Sequence, residues 1–593
     1  MFGKFDNRRL FLQGVRMVAP LLLCAVATSA QNTTPDGIPD VTPVNPSCRL
    51  VDPGPRPAGN VPLYTITDED GNNVPNFAQQ SQDKTHNSSG NHLPNLTNDQ
   101  VTLWTAGLVL FGDLVSVQGD VKFQTEPIAG LGPRFNGNSC FMCHSQPAIG
   151  GTSPGPGTPL IPPFTQNPQI AVANLDQATN NIPTFVKPAR TNGPVVEARF
   201  PRNIDSSNLP VNSLDGSVHD LYTIQGRSDA DSLCSISQPP FGTELTNNNI
   251  IFRIPTPTFG VGFMQTASDD ILVDNLNDVP SAASAIGVTG IHGSFNRSGN
   301  DQTITRFGWK AQNPSLFVFS GEANNVEMGV TNALFSFERD KPNPDGTHCA
   351  TNATPEDFPA PSPNEPPPGL GTNNHPLILD AFADAEAFFM FTNTPPAQCD
   401  FNSGQTQIAP GQFVPNCLGF SQSATNGQNK FNAVGCNLCH STKLTTGPSA
   451  FTDLSNASFF PFSDFAVHHM GATLADGVNQ GLAGPDQFRT APLWGTGQRL
   501  FFLHDGRATT VTPAPVAQAQ PGLPFAIQQH ATPISQCTTI TTQAETFILN
   551  GQTITIPAVT SQFCGSEANG VINKFNGLSC SDQQDVINFL RSL

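Results

Sequence analysis

The chain has 593 residues, a net charge of −19 and only 12% charged side chains, where an average globular protein has about 25%. That acidic balance excludes nucleic acid and anionic membrane as natural partners and leaves a basic redox partner open. The length accommodates two or three domains with ample core, while 55 Pro and 51 Gly favour turns, short strands and long loops over helix.

In chain order, the first element is an export segment over residues 1–30. Lys4, Arg8, Arg9 and Arg16 form a basic region, Val18 to Val26 is a short apolar stretch, and Thr28-Ser29-Ala30 is a cleavage site of the expected kind. Asn7 to Gln13 resembles a twin-arginine signal, and an ordinary secretory signal fits equally well. No later apolar run approaches the roughly 20 residues of a membrane span, so a periplasmic or secreted protein with no membrane span is expected. Residues 31–98 are polar and rich in Pro and Asn, and read as an extended N-terminal arm. Val101 to Leu114 is an apolar, helical lead-in to the next feature.

That feature is Phe135-Asn136-Gly137-Asn138-Ser139-Cys140-Phe141-Met142-Cys143-His144-Ser145, which returns later as Phe431-Asn432-Ala433-Val434-Gly435-Cys436-Asn437-Leu438-Cys439-His440-Ser441. Each contains Cys-x-x-Cys-His, the attachment signal of c-type haem. Two thiols at this spacing reach the two vinyl groups on one haem edge, and the adjoining imidazole then lies under the ring to bind iron. The chain's own Cys and His frequencies would supply only about 0.006 such pentapeptides by chance, so two in matching context point to two covalently bound haem c groups. Cys140, Cys143, His144, Cys436, Cys439 and His440 are the expected attachment residues, with His144 and His440 as iron ligands. A redox Cys-x-x-Cys or half a zinc site is the competing reading, but neither motif has a second Cys/His pair at zinc spacing nearby.

Between His144 and about Arg306, runs such as Ile250 to Ile254 alternate with Asn/Pro/Gly turns and read as strands and loops. Residues 341–376 form a Pro-rich linker, with six prolines from Pro359 to Pro368. Leu377 to Phe391 is a predicted helix with Leu379, Phe382, Ala383, Ala387 and Met390 on one face and Glu386 at that face's edge. Asp582 to Leu593 is a second amphipathic helix, predicted to start after a Ser581 cap. A helix before the motif and one at the end are what a small cytochrome c domain needs to close over its haem. The expected fold class is therefore mixed: two mainly α cytochrome c-type haem domains, at 99–340 and 377–593, with a large β/loop-rich insertion (about 150–300) in the first. Without Cys24 and the four motif cysteines, eight remain, an even number suited to an oxidising compartment; Cys399–Cys417 and Cys537–Cys564 are the favoured pairs because each closes a short polar loop.

Several further segments carry a family resemblance: Gly130 to Asn136, Arg306-Phe307-Gly308-Trp309-Lys310-Ala311, Phe488 to Trp494, and Phe502-Leu503-His504-Asp505-Gly506-Arg507-Ala508. With the two haem motifs, they resemble the di-haem oxidoreductase family, often labelled thiol oxidoreductases, related to bacterial di-haem cytochrome c peroxidases. The resemblance implies that Trp309 relays an electron and that Glu327, in Glu327-Met328-Gly329, is a carboxylate on the open face of the first haem. Phe319 stands where the peroxidases carry a Gln. The resemblance also implies an axial ligand downstream of the His504-Asp505-Gly506 segment, where Ala526-Ile527-Gln528-Gln529-His530 occurs; His530 is taken as the second ligand of the second haem, with Met470 and His504 as rivals. On the first haem the side opposite His144 is expected to be vacant, unless His219 or Met264 fills it.

The leading reading is an exported, peroxidase-like di-haem c-type cytochrome oxidoreductase that passes electrons from the second haem to a reactive first haem. Its expected partners are a small redox protein or other electron donor or acceptor, and a small-molecule oxidant. The alternatives are an electron-transfer cytochrome with both haems six-coordinate, and a haem oxygenase of the rubber-cleaving type.

Overall fold

The computed structural model describes residues 34–55, 92–116, 128–155 apart from 133, 167–172, 191–204, 239–332, 381–396, 421–511, 520–541 and 560–593, with short strand segments between them. The export segment 1–30, the linker 341–376, His219 and the Cys399–Cys417 pair lie outside the described residues.

The helix ahead of the first motif is Asn98–Gly112. Thr97 begins it with a reciprocal capping box, its hydroxyl accepting from Gln100 N while the Gln100 side chain accepts from Thr97 N. Trp104, Leu108 and Phe111 are buried along one side and meet the helix Ala381–Thr392. The predicted start at Leu377 lies outside the described residues. The two helices touch backbone to backbone: a Cβ on Gly107 would overlap the Ala385 carbonyl.

The second half repeats this device. Ser421 caps the helix Gln422–Val434, which ends on Gly435 at φ 99°, a left-handed conformation that glycine adopts freely. It packs along the C-terminal helix Cys580–Ser592, and a Cβ on Gly427 would overlap the Asp585 carbonyl. The C-terminal helix starts earlier than predicted, with Ser579 rather than Ser581 as the cap, its hydroxyl accepting from Asp582 N. Cys580 in its first turn is disulfide-bonded to Cys48, a pairing across 532 residues. Cys537–Cys564 forms as expected, between two antiparallel strands.

The stretch read as strand and loop up to residue 300 is partly helical. Ile251–Arg253 does pair antiparallel with Glu197–Arg199. Beyond it come the helices Val261–Thr266 and Asp269–Ala285. The latter carries Pro280 in its interior, which reads as a breaker, yet Ser268 caps it and Asp269 and Asp270 occupy the first turn, where the helix dipole favours them.

One apolar cluster joins Trp104, Phe111, Phe259, Phe389 and Met390 to Leu444, Phe459, Phe465 and Trp494, so the two halves share a core. A second gathers Phe431, Phe462, Phe502, Leu523, Phe575 and Phe589 around the second motif. Residues 34–55 are strapped over this second cluster: Asp52 pairs with Arg591 at 2.6 Å, and Thr42 N donates to Asn573 at 2.7 Å. Among the described residues no helix is long and apolar enough to cross a membrane.

Substituting Gly427→Ala should lower stability by about 1–3 kcal/mol, because the new methyl meets backbone that cannot yield cheaply. Gly242→Ala, where a Cβ meets nothing within 4 Å, should leave the thermal unfolding midpoint unchanged or slightly higher. Equal midpoints for the two variants would contradict the close crossing.

Candidate functional site

Both motifs fold into the same tight turn. Cys140–Cys143 is a single helical turn and Cys436–Leu438 a 3-10 turn; His144 N donates to Cys140 O, and His440 N to Cys436 O, each at 2.9 Å. The two cysteines of each motif thus lie three residues apart on one turn. None of the four is in a disulfide. Burial raises the pKa of all four and pushes Cys436 up to about 12.

The second motif faces a partner imidazole. The His440 and His530 ring centres are 6.5 Å apart, at an interplanar angle of 57°. Two imidazoles on opposite sides of one metal atom, with metal–nitrogen bonds of about 2 Å, bring their ring centres to about 6.4 Å. Nδ1 of His440 lies 2.8 Å from Phe462 O, and Nδ1 of His530 lies 2.8 Å from Ala526 O. A carbonyl on Nδ1 fixes the tautomer and leaves Nε2 as the ligand atom, the usual arrangement for metal-bound histidine. Burial lowers both pKa values, that of His440 to about 4, so both rings are neutral donors at pH 7. The pair therefore fits an iron with two axial histidines.

Of the two rivals of His530, His504 has its ring packed against two aromatic side chains: it stacks on Phe488 at 4.6 Å and meets the edge of Trp309 at 6.4 Å. Met470 is fixed by its backbone to Asp486 and Thr532.

The first motif opens into a cleft of about 1120 Å³, a volume that includes space open to solvent. Cys140, Cys143 and His144 line it, together with Glu327 and Trp309. Nδ1 of His144 lies 3.2 Å from Gly151 O, and burial lowers the ring's pKa. A neutral imidazole beside two thiols at such a cleft fits the first haem. Glu327 sits in a π-helical turn, Asn324–Met328, which places its carboxylate near both Cys143 and His144. Asn136 Nδ2 donates to Glu327 Oε2 at 3.0 Å, while the Glu327 carbonyl accepts from Asn136 N at 2.8 Å. Trp309 donates from Nε1 to Ile254 O at 2.8 Å and reaches His504, so it touches segments of both halves. Phe319 lines the same cavity. Met264 is buried in a neighbouring cavity, whereas Met328 and Met390 line this one.

Three groups were missed by sequence reasoning. Glu386 is buried in the first cavity, accepting from Ser320 Oγ at 3.0 Å and Asn324 Nδ2 at 2.8 Å, and burial raises its pKa. Its only signal was a carboxylate at the edge of an apolar helix face. Asp476 is buried between Arg253 (2.5 Å) and Lys310 (3.1 Å), and Arg253 lines the first cavity. His468 lies between Asp464, 2.9 Å from Nε2, and Glu567, 2.8 Å from Nδ1, with Cys439 Sγ 3.8 Å away. Both ring nitrogens donate to carboxylates, which requires the imidazolium. Burial opposes that charge, but the carboxylates of Asp464 and Glu567 hold the pKa well above its ordinary value. Cys439, Asp464 and His468 are close enough to hold a metal ion, yet both imidazole nitrogens are already taken.

Residues 408–519 match the family model described as "Di-haem oxidoreductase, putative peroxidase". The matched span holds the second haem motif, the Phe488 to Trp494 segment and the His504-Asp505-Gly506 segment, so the resemblance read from those residues holds there. No curated protein and no solved structure matches the chain.

The Glu567 pKa illustrates how acid should act on this fold. Burial alone would raise it; His468 and the backbone N–H groups of His292 and His469 hold it down to about 2, from an ordinary 4.5. A depressed folded value stabilises fully above the unfolded value and is lost as pH falls through the folded one. Stability should therefore decline by about 3 kcal/mol between pH 4.5 and 2 from this group. Glu567→Gln should lower stability at pH 7 by about 3–5 kcal/mol and flatten that acid limb, as measured by denaturant unfolding at several pH values.

Proposed function

We propose that the chain is an exported di-haem c-type oxidoreductase of peroxidase-like activity, with a six-coordinate second haem that feeds electrons to a reactive first haem. The observation that carries this reading is an asymmetry. His440 faces the imidazole of His530 at 6.5 Å, whereas His144 faces a cleft of about 1120 Å³ that also holds a carboxylate. The two Cys-x-x-Cys-His turns supply covalent attachment, and attachment of this kind takes place outside the cytoplasm. The paired helices crossing at Gly107 and at Gly427 support one cytochrome c-type domain around each motif, the first enlarged by the segment from about 150 to 300 and closed by the helix Ala381–Thr392, which the sequence assigns instead to the second domain at 377–593.

When bound in the first cavity, haem would supply an iron able to exchange electrons with peroxide or a similar small oxidant. Reducing peroxide to two waters takes two electrons and two protons. Glu327 is the residue to carry a proton to the oxygen that leaves: it is at the cavity wall, and Asn136 Nδ2 orients one of its oxygens. Trp309 is the residue to relay electrons, since it lines the first cavity and reaches His504 of the second half. A small soluble redox protein, rather than nucleic acid or membrane, would supply the electrons.

A second reading is favoured by one observation. The thioethers of Met328 and Met390 line the first cavity, so either could close the iron and leave an electron carrier with no catalysis.

Glu327→Gln should leave both haem spectra unchanged and slow the reaction of reduced protein with peroxide by about 10²–10⁴-fold, measured by stopped-flow absorption. His530→Ala should convert one haem from low-spin to high-spin without altering the other. An unchanged peroxide rate would remove Glu327 from the reaction, and an unchanged spectrum would remove His530 from the iron.

A further inference from the structure

Beside the first cavity lies a narrow extension with clear space for about one water molecule or the end of a carboxylate, and the two share Thr256, Thr258, Gly308, Trp309, Phe319 and Met390. Most of its wall is apolar or aromatic, with Phe307, Leu316 and Trp494 among the lining residues. Two cations break that wall: Arg489 and Arg499, only 6% and 7% exposed.

These two differ from the other buried cations of the fold. Arg253 and Lys310 are both paired with Asp476, Arg306 with Asp269, and Arg591 with Asp52. Among the described residues neither Arg489 nor Arg499 has a carboxylate partner. Arg489 donates from Nε to Gly308 O at 3.0 Å and from Nη1 to Thr490 O at 3.2 Å. The Arg499 guanidinium makes no hydrogen bond among the described residues. Burial lowers the pKa of each to about 10, with repulsion from Arg499 acting on Arg489 and from Arg591 acting on Arg499. Both stay charged at pH 7. Two like charges buried together, with no ion pair for either and only the more distant Asp464 attracting Arg489, are unfavourable unless an anion joins them, and a guanidinium fork matches a carboxylate in shape.

We propose that Arg489 and Arg499 form a carboxylate-binding site whose ligand is a flat apolar body with an acidic edge. The haem of the neighbouring cavity meets that description through its propionates, and in that form the proposal rests on the haem reading above. A soluble aromatic carboxylate meets it equally. The shared walls would let either one lie against Trp309.

The test uses the full holoprotein, with haem content counted first by mass, so that failure of the haem reading is seen separately. Arg499→Met and Arg499→Lys are compared with the parent for melting temperature, haem midpoint potentials and response to benzoate. If a propionate occupies the site, Arg499→Met lowers the melting temperature. It also shifts one midpoint potential downward, because the propionate charge left uncompensated favours ferric iron. Arg499→Lys largely restores both, and benzoate has no effect. If the site is open to soluble carboxylates, benzoate quenches tryptophan fluorescence saturably in the parent but not in Arg499→Met, with both potentials unchanged. A higher melting temperature for Arg499→Met, with unchanged potentials and no benzoate response in the parent, would overturn the proposal, since removing the charge would only have relieved an unpaired cation.

Discussion

A backbone carbonyl on the Nδ1 of an imidazole is the contact on which each candidate haem site depends. Gly151 supplies it to His144, Phe462 to His440 and Ala526 to His530. Each carbonyl fixes one tautomer and ring orientation, so the opposite nitrogen is the atom available to a metal. The carbonyls come from quite different places: a turn just after the first motif, a segment 22 residues beyond the second, and the last turn of the helix Gly522–Gln528. The loops that look irregular in the sequence are therefore what hold the rings in position.

The two sites are joined through a polar and aromatic seam rather than a flexible hinge. Trp309 anchors to Ile254 by its indole N–H, Ile254 N donates to His504 O at 2.7 Å, and Arg489 N donates to Trp309 O at 2.9 Å. Directly beside it, Lys310 lies over the Phe488 ring at 4.1 Å and shares Asp476 with Arg253. Buried ion pairs of this kind add little net stability, but losing one partner strands a charge, which resists any rearrangement of the seam. A rigid arrangement of this sort suits electron transfer between two fixed sites.

What the sequence disclosed follows from how local each constraint is. Cys-x-x-Cys-His is legible because the covalent attachment proposed for it would force five adjacent residues into one pattern. The C-terminal helix is legible from Val586, Ile587, Phe589 and Leu590, but its first turn is set by the Cys48–Cys580 bond, whose partner lies 532 residues away. The helix Asp269–Ala285 was hidden by Pro280 and by Asn and Asp residues that resemble turns, although Ser268-Asp269-Asp270 is a sound start signal. His530 is singled out only because a related pattern surrounds it, and its ring lies 6.5 Å from that of His440. His468, Arg489 and Arg499 had no local signal, and Glu386 only its place at the edge of an apolar helix face, because their meaning comes from neighbours distant in the chain or from the lack of one. Glu567, for example, is 99 residues from His468.

The central claim is that the two iron sites differ, one closed by two histidines and the other open to a small molecule. Electron paramagnetic resonance of the fully oxidised protein, on material with two haems per chain by mass, tests it directly. The account predicts one low-spin and one high-spin ferric signal in equal amounts. Two low-spin signals and no high-spin signal would contradict it.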